Sequence, residues 1–228
     1  MSTEIDESDW TFCQNVEELI TFLQETIEDK ESSVRISSVL GLLLITAVKS
    51  EYYEKLVTYL KSLLIVDDIY IRGSAALSIG ILGAYLEDPV PFIDILKLLL
   101  FDETRFVKRN ASVGLALILS ASTSKERRHN LLEELLSSSY WYFRLTGVVG
   151  LGLFCEETEI TTIVERLKPL LNDSDVDVRI GTVYGLGFIA KNYIYTEQLI
   201  LFLKSCLLDY DPAVIHSAKV VLNFLHLG

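Results

Sequence analysis

Apolar positions along the chain follow a helical rhythm that itself repeats. The clearest stretch is VDVRIGTVYGLGFIA (176–190), in which apolar residues fall three and four apart, the spacing of one helix face. From Val178 it aligns without gaps with five other segments: VRISSVLGLLLIT (34–46), IRGSAALSIGILG (71–83), VKRNASVGLALIL (107–119), FRLTGVVGLGLFC (143–155) and VIHSAKVVLNFLH (214–226). The six starts lie 37, 36, 36, 35 and 36 residues apart. Chance alignment of apolar helices does not hold such a period.

The second column of the alignment is Arg35, Arg72, Lys108, Arg144 and Arg179, failing only at Ile215. The eighth is Gly41, Ser78, Gly114, Gly150, Gly185 and Val221, and the tenth is mostly small: Gly80, Ala116, Gly152 and Gly187. At about 100° per residue, columns 1, 7, 9, 11 and 12 form a wide apolar arc with column 8 at its centre. Eleven of the twelve glycines lie in these segments, although each costs roughly 0.5–1 kcal/mol inside a helix relative to alanine. Close helix packing must offset that cost. Column 8 is expected to face a neighbouring helix, and column 10 to lie on the flank where the next repeat stacks. A phosphate loop is excluded for these G-x-G pairs, because no strand precedes them and no Lys-Ser/Thr follows.

Each segment is preceded by a second amphipathic stretch: NVEELITFLQETIED, EYYEKLVTYLKSLLIV, PFIDILKLLLF, SKERRHNLLEELLSS, EITTIVERLKPLLND and TEQLILFLKSCLLD. Asn15 with Glu18 and Thr123 with Glu126 have capping-box spacing, Pro91 suits a first turn, and Thr196 reads as an N-cap. Pro169 should bend the end of its helix. There is no strand pattern. The expected fold is all-α: a right-handed α-α superhelix, an open solenoid of about six helix pairs. The pairs fall at approximately 15–50, 51–87, 88–122, 123–157, 158–194 and 195–228, after an acidic tail or cap at 1–14.

A helix, a short turn containing Asp, then Val-Arg opening another helix resembles the HEAT repeat. LLNDSDVDVR (170–179) is the nearest copy and is similar to the short form in phycobilisome-lyase-type proteins. The GLGF and GLGL pairs also resemble proteasome/cyclosome repeats. The resemblance implies a ladder of Asp and Arg bridging neighbouring repeats: Asp29, Asp67, Asp102, Asp173 and Asp209 with Arg35, Arg72, Lys108 and Arg179. It implies scaffolds and binding surfaces more than any chemistry.

Composition narrows this little: half of the 228 residues are hydrophobic, and no apolar run approaches the roughly 20 residues of a membrane span. Cys13, Cys155 and Cys206 show no metal or disulfide spacing. With a polar, acidic N-terminus, a cytoplasmic or nuclear location is expected. Charge changes the picture more. The net is −12, of which −8 falls in residues 1–30, yet 101–130 carries +3. The overall sign disfavours nucleic acid. Membrane partners and cofactors are not expected.

Repeat four breaks the ladder: Ser138 replaces the Asp, and Tyr140, Trp141 and Tyr142 occupy its expected turn. Stacking of repeats should bring Arg105 and Lys108 near Trp141 and Arg144. With Arg109, Arg127 and Arg128, this set reads as a hot spot for an acidic peptide, as a phosphate or nucleic-acid site, or as solvated charge around aromatic filler. Column 6 (Val39, Ala76, Ser112, Val148, Val183) is expected either to line a shallow groove for an amphipathic segment or to be consumed in stacking. The last repeat looks poorly shielded at Leu222, Phe224 and Leu225, which points to a longer parent chain, a docked partner or a homodimer.

Enzyme chemistry is not expected. Deoxyhypusine hydroxylases of HEAT type need His-Glu pairs, and His129, His216 and His226 are isolated. The expected function is a non-catalytic protein-binding scaffold or adaptor. The alternatives are an assembly chaperone, a nucleic-acid-associated factor and a lyase-type enzyme.

Overall fold

The computed structural model describes residues 15–86, 88–122, 125–153, 157–193 and 196–225. The expected 1–14 cap and the Thr123 box lie outside them. Helices pair along the chain as α1 Val16–Thr26 with α2 Ser32–Val48, α3 Tyr53–Ser62 with α4 Ile69–Gly83, and α5 Val90–Leu99 with α6 Arg105–Ser122. They continue as α7 Lys125–Leu136 with α8 Trp141–Leu153, α9 Ile160–Leu167 with α10 Val176–Asn192, and α11 Thr196–Ser205 with α12 Pro212–Phe224. No strand occurs among the described residues. None of the described helices is by itself long and apolar enough to cross a membrane.

Local signals set several boundaries. Asn15 Oδ1 accepts the Glu18 N–H at 3.2 Å and caps α1, and Pro91 sits in the first turn of α5. Thr196 is the first residue of α11. Proline has no N–H to donate and clashes with the carbonyl four residues back. Accordingly α9 stops at Leu167 and Lys168–Asn172, which contains Pro169, tightens into a 3-10 turn.

The chain divides into two compact units between Ile79 and Gly80, inside α4. In the first, Val39, Leu42, Leu56, Leu60 and Ile79 are wholly buried. In the second, Leu167, Val183, Leu186, Ile189, Leu199 and Leu203 are wholly buried. Each such side chain contributes roughly 1.5–3 kcal/mol of transfer free energy.

The glycine columns interlock in a stagger within the second unit. A Cβ placed on Gly80 would lie 2.1 Å from Gly114 Cα, one on Gly152 would lie 2.5 Å from Gly185 Cα, and one on Gly187 would meet Val221 Cγ1 at 2.3 Å. Column 10 of one second helix therefore rests on column 8 of the next. Columns 6 and 10 are four apart and share a helix ridge. Within the second unit that ridge is pressed into the following helix, and Ser112, Val148 and Val183 are 0% exposed; Val39 and Ala76 of the first unit are equally buried. The expected column-6 groove is absent, and stacking consumes those side chains. Of the three apolar residues expected to be poorly shielded in the last repeat, Leu222 is buried, Leu225 is partly buried and Phe224 is 57% exposed.

Candidate functional site

Four of the six turns between paired helices are organised by a second-column arginine, Arg35, Arg72, Arg144 or Arg179. Its Nη1 donates back to carbonyls five and six residues earlier, in the turn beyond the first helix, where they have no backbone ladder to join. Arg35 reaches Asp29 O (2.7 Å) and Lys30 O (2.9 Å), and Arg144 reaches Ser138 O (2.8 Å) and Ser139 O (3.1 Å). Arg72 does the same to Val66 O (2.5 Å) and Asp67 O (3.1 Å), and Arg179 to Asp173 O (2.9 Å). The turn aspartates shape the same loop. Asp29, Asp102, Asp173 and Asp209 each accept, at 2.8 Å, the N–H two residues on, an Asx turn.

The remaining guanidinium edge bridges to the next repeat. Arg144 Nε and Nη2 donate to the two Asp173 oxygens at 2.7 Å each, and Arg179 does likewise to Asp209 at 2.9 and 3.1 Å. In the second turn the ion-pair partner is Asp68, with Oδ2 3.0 Å from Arg35 Nε, instead of the expected Asp67. Asp68 also caps α4 through the Tyr70 and Ile71 N–H groups, so one carboxylate serves as both rung and cap. Asp67 offers only its carbonyl to Arg72. Arg144 stays charged, held by its hydrogen bonds to Asp173 against the cost of burial. For Arg179 the burial penalty is larger but is outweighed by Asp209.

Repeat four lacks both acids, with Ser138 in the turn and Tyr140 at the cap position. The sequence pattern places Trp141 and Tyr142 in the turn; instead they open α8. Tyr142 is buried, edge-on to Phe101 at 6.1 Å and stacked with Tyr140 at 5.4 Å, while Tyr140 remains exposed. Without a carboxylate opposite, Lys108 places its Nζ 5.9 Å from the Tyr142 ring centre. Arg105 lies over Trp141, 4.4 Å from the ring centre, and reaches past it to the start of α10. There it meets Asp175 at 2.5 Å and Asp177 at 2.8 Å, and Arg109 approaches Asp177 at 3.5 Å.

Thus the basic group at 105–109, the aromatics and Arg144 come together as the sequence implies, but their acidic partners are internal. Asp177 is 4% exposed and has two guanidinium groups around it. Burial opposes the charge on Arg105, but its hydrogen bond to Asp175 and the charge of Asp177 more than compensate. The Arg127 and Arg128 side chains lie outside the described ones. Among the described residues no three His, Cys, Asp or Glu side chains are grouped to hold a metal ion.

A second surface was missed at the sequence level, because columns 7 and 11 read as part of the core arc. They face outward. Val113, Leu117, Val149 and Leu153 are partly exposed, and Tyr184, Phe188, Val220 and Phe224 are 45%, 40%, 41% and 57% exposed. These residues lie on α6, α8, α10 and α12, whose neighbours pack in succession. Of the 32 Asp and Glu residues, only the buried Asp177 lies in a second helix. Lys191 reaches across this face, with Nζ 4.9 Å from the Phe224 ring centre.

No family model matches the chain, and no curated protein matches it by sequence. Solved structures do resemble it. Human deoxyhypusine hydroxylase in complex with glycerol is 15% identical with a TM-score of 0.50, covering 92% of this chain and 85% of that one. E. coli YibA is 17% identical with a TM-score of 0.50, covering 100% and 77%. A computationally designed armadillo repeat protein for modular peptide recognition is 17% identical, covers 90% and 98%, and has a TM-score of only 0.38. The first two likenesses speak to the fold alone, an all-α repeat of helix pairs.

Proposed function

We propose that the chain is a non-catalytic protein-binding scaffold or adaptor whose docking surface is the outward face of α6, α8, α10 and α12. The observation that carries this reading is the segregation of side chains. In a protein of net charge −12, the second helices hold no exposed acid. Their outward face is an apolar stripe ending in Tyr184, Phe188, Val220 and Phe224 and flanked by Lys191 and Lys219. An amphipathic partner segment with acidic flanks complements it in both respects. The Arg105–Arg144 cluster supports this assignment by default. Its guanidinium groups are engaged with Asp173, Asp175 and Asp177, so its charges serve stability more than recognition. The same pairing disfavours the nucleic-acid reading, because phosphate contacts need uncompensated cations.

The test is affinity capture with quantitative mass spectrometry, comparing wild type, Tyr184→Glu/Phe188→Glu and Trp141→Ala/Arg144→Ala. A stoichiometric protein partner lost only in the first variant, and retained in about 0.5 M salt, supports the apolar face. A partner lost only in the second returns the site to repeat four. Recovery of nucleic acid alone rejects the proposal.

A further inference from the structure

The turns of the last two repeats enclose a cleft of about 520 Å³. Its apolar walls are Leu171, Phe202, Leu208 and Tyr210, and Arg179 and Cys206 also line it. The charges around it balance except for one. Arg179 is matched by Asp209, and Asp173 by Arg144. Lys168 has no ion-pair partner among the described residues, and its Nζ rests 4.6 Å from the Phe202 ring centre. Asn172 and Ser174, both exposed, add neutral donors at the rim. Leu208 is 88% and Tyr210 80% exposed, so two large apolar side chains stand beside an unbalanced cation.

An unmatched ammonium over an aromatic ring, amide and hydroxyl donors, and an adjacent apolar wall match a carboxylate next to a large apolar group. The volume falls within the roughly 300–1,000 Å³ of small-ligand sites, which is room for two or three residues and no more. We propose that this cleft is a peptide-binding site. It takes a carboxylate on Lys168, Asn172 and Ser174, and a neighbouring large apolar side chain against Leu208 and Tyr210. The carboxylate belongs either to a chain terminus or to an Asp or Glu side chain, since both offer the same acceptor. The proposal rests on the reading of the chain as a protein-binding module, but it uses none of the residues of the α6–α12 face.

The experiment is an amide NMR titration of the full chain with three acetylated tripeptides: Glu-Leu-Trp as the free acid, Glu-Leu-Trp amide, and Gln-Leu-Trp as the free acid. The expected result is saturable shifts in residues 168–174 and 206–210, with a Kd at or below about 1 mM. Retained binding of only the two free acids assigns the pocket to a chain terminus. Retained binding of only the two Glu peptides assigns it to an acidic side chain. Lys168→Gln and, separately, Tyr210→Ala should each weaken binding about ten-fold or more with an unchanged circular-dichroism spectrum. No shifts at about 5 mM peptide, or wild-type affinity in Lys168→Gln, overturns the proposal. Tyr184→Glu/Phe188→Glu should bind these peptides normally. Loss of binding there would place the peptides on the helix face, removing the cleft site while leaving the scaffold reading intact.

Discussion

Gly152 and Gly185 face each other across α8 and α10, yet the same substitution at the two should act in opposite directions. A Cβ on Gly152 meets backbone atoms: Gly185 Cα at 2.5 Å, its carbonyl carbon at 3.2 Å and its oxygen at 3.4 Å. Carbon atoms sit comfortably at about 3.5–4.0 Å, so the two helices would have to part by roughly 1–1.5 Å. No flexible side chain can yield instead. Overpacking of this kind costs about 1–3 kcal/mol, against a helix-propensity gain of roughly 0.5–1 kcal/mol for Gly→Ala. Gly152→Ala should therefore destabilise by about 1–2 kcal/mol net. A Cβ on Gly185 finds Gly152 Cα at 3.4 Å, Val148 O at 3.5 Å and a Leu167 methyl at 3.7 Å, all ordinary contacts. Gly185→Ala should be neutral or stabilising by up to about 1 kcal/mol. Urea unfolding followed at 222 nm reads this as midpoint shifts of opposite sign. Equal midpoints for the two variants, or a Gly152→Ala as stable as wild type, would refute the interlocked-helix account.

Arg179→Ala should cost about 3 kcal/mol by urea unfolding, because it strands the Asp209 carboxylate in a pair whose side chains are 2% and 10% exposed. Adding Asp209→Ala should restore part of that loss. Arg105→Ala should cost less than about 1 kcal/mol, since the arginine is 48% exposed and solvent screens its pairs. Its effect on the melting temperature should shrink between low salt and about 1 M NaCl. Burial pushes the Cys206 thiol above its ordinary range, so the unfolded chain ionises first as pH rises. Its contribution is complete below about pH 8.5 and declines through pH 9 and above. Cys206→Ala should flatten that arm of the urea midpoint against pH between pH 8 and 10.

The repeat, its helix pairs and the close approach of the glycines were legible because each depends on spacing within one period. Other features were not, for identifiable reasons. The second turn has Val66 at the position of Asp173, six residues before the arginine, so the rung falls to the cap residue Asp68, which is level with Asp175. With no Asp six residues before Arg72, the sequence pointed to Asp67, five before it. Trp141 and Tyr142 looked like a local anomaly of repeat four. In fact Tyr70, Phe106 and Tyr142 form a column two residues before three of the five ladder cations, which places Tyr142 inside its helix. Columns 6, 7 and 11 all border an arc too wide to rank when a helix has neighbours on several sides. Only the direction of stacking decides that column 6 is buried while Tyr184 and Phe188 are exposed. The ion pair of Arg105 with Asp175 spans 70 residues. It skips a whole repeat, so a search for one period could not find it.

That skipped repeat alters how the molecule should come apart. In an ideal solenoid each repeat feels only its neighbours, and stability is a sum of local and nearest-neighbour contributions. Arg105 binds the third helix pair directly to the fifth, with Trp141 of the fourth held beneath it. The fourth pair, whose own turn has lost both acids, cannot open without releasing the clasp above it. Hydrogen exchange should then find residues 105–177 opening as one cooperative block, with independent fraying confined to the repeats outside the clasp.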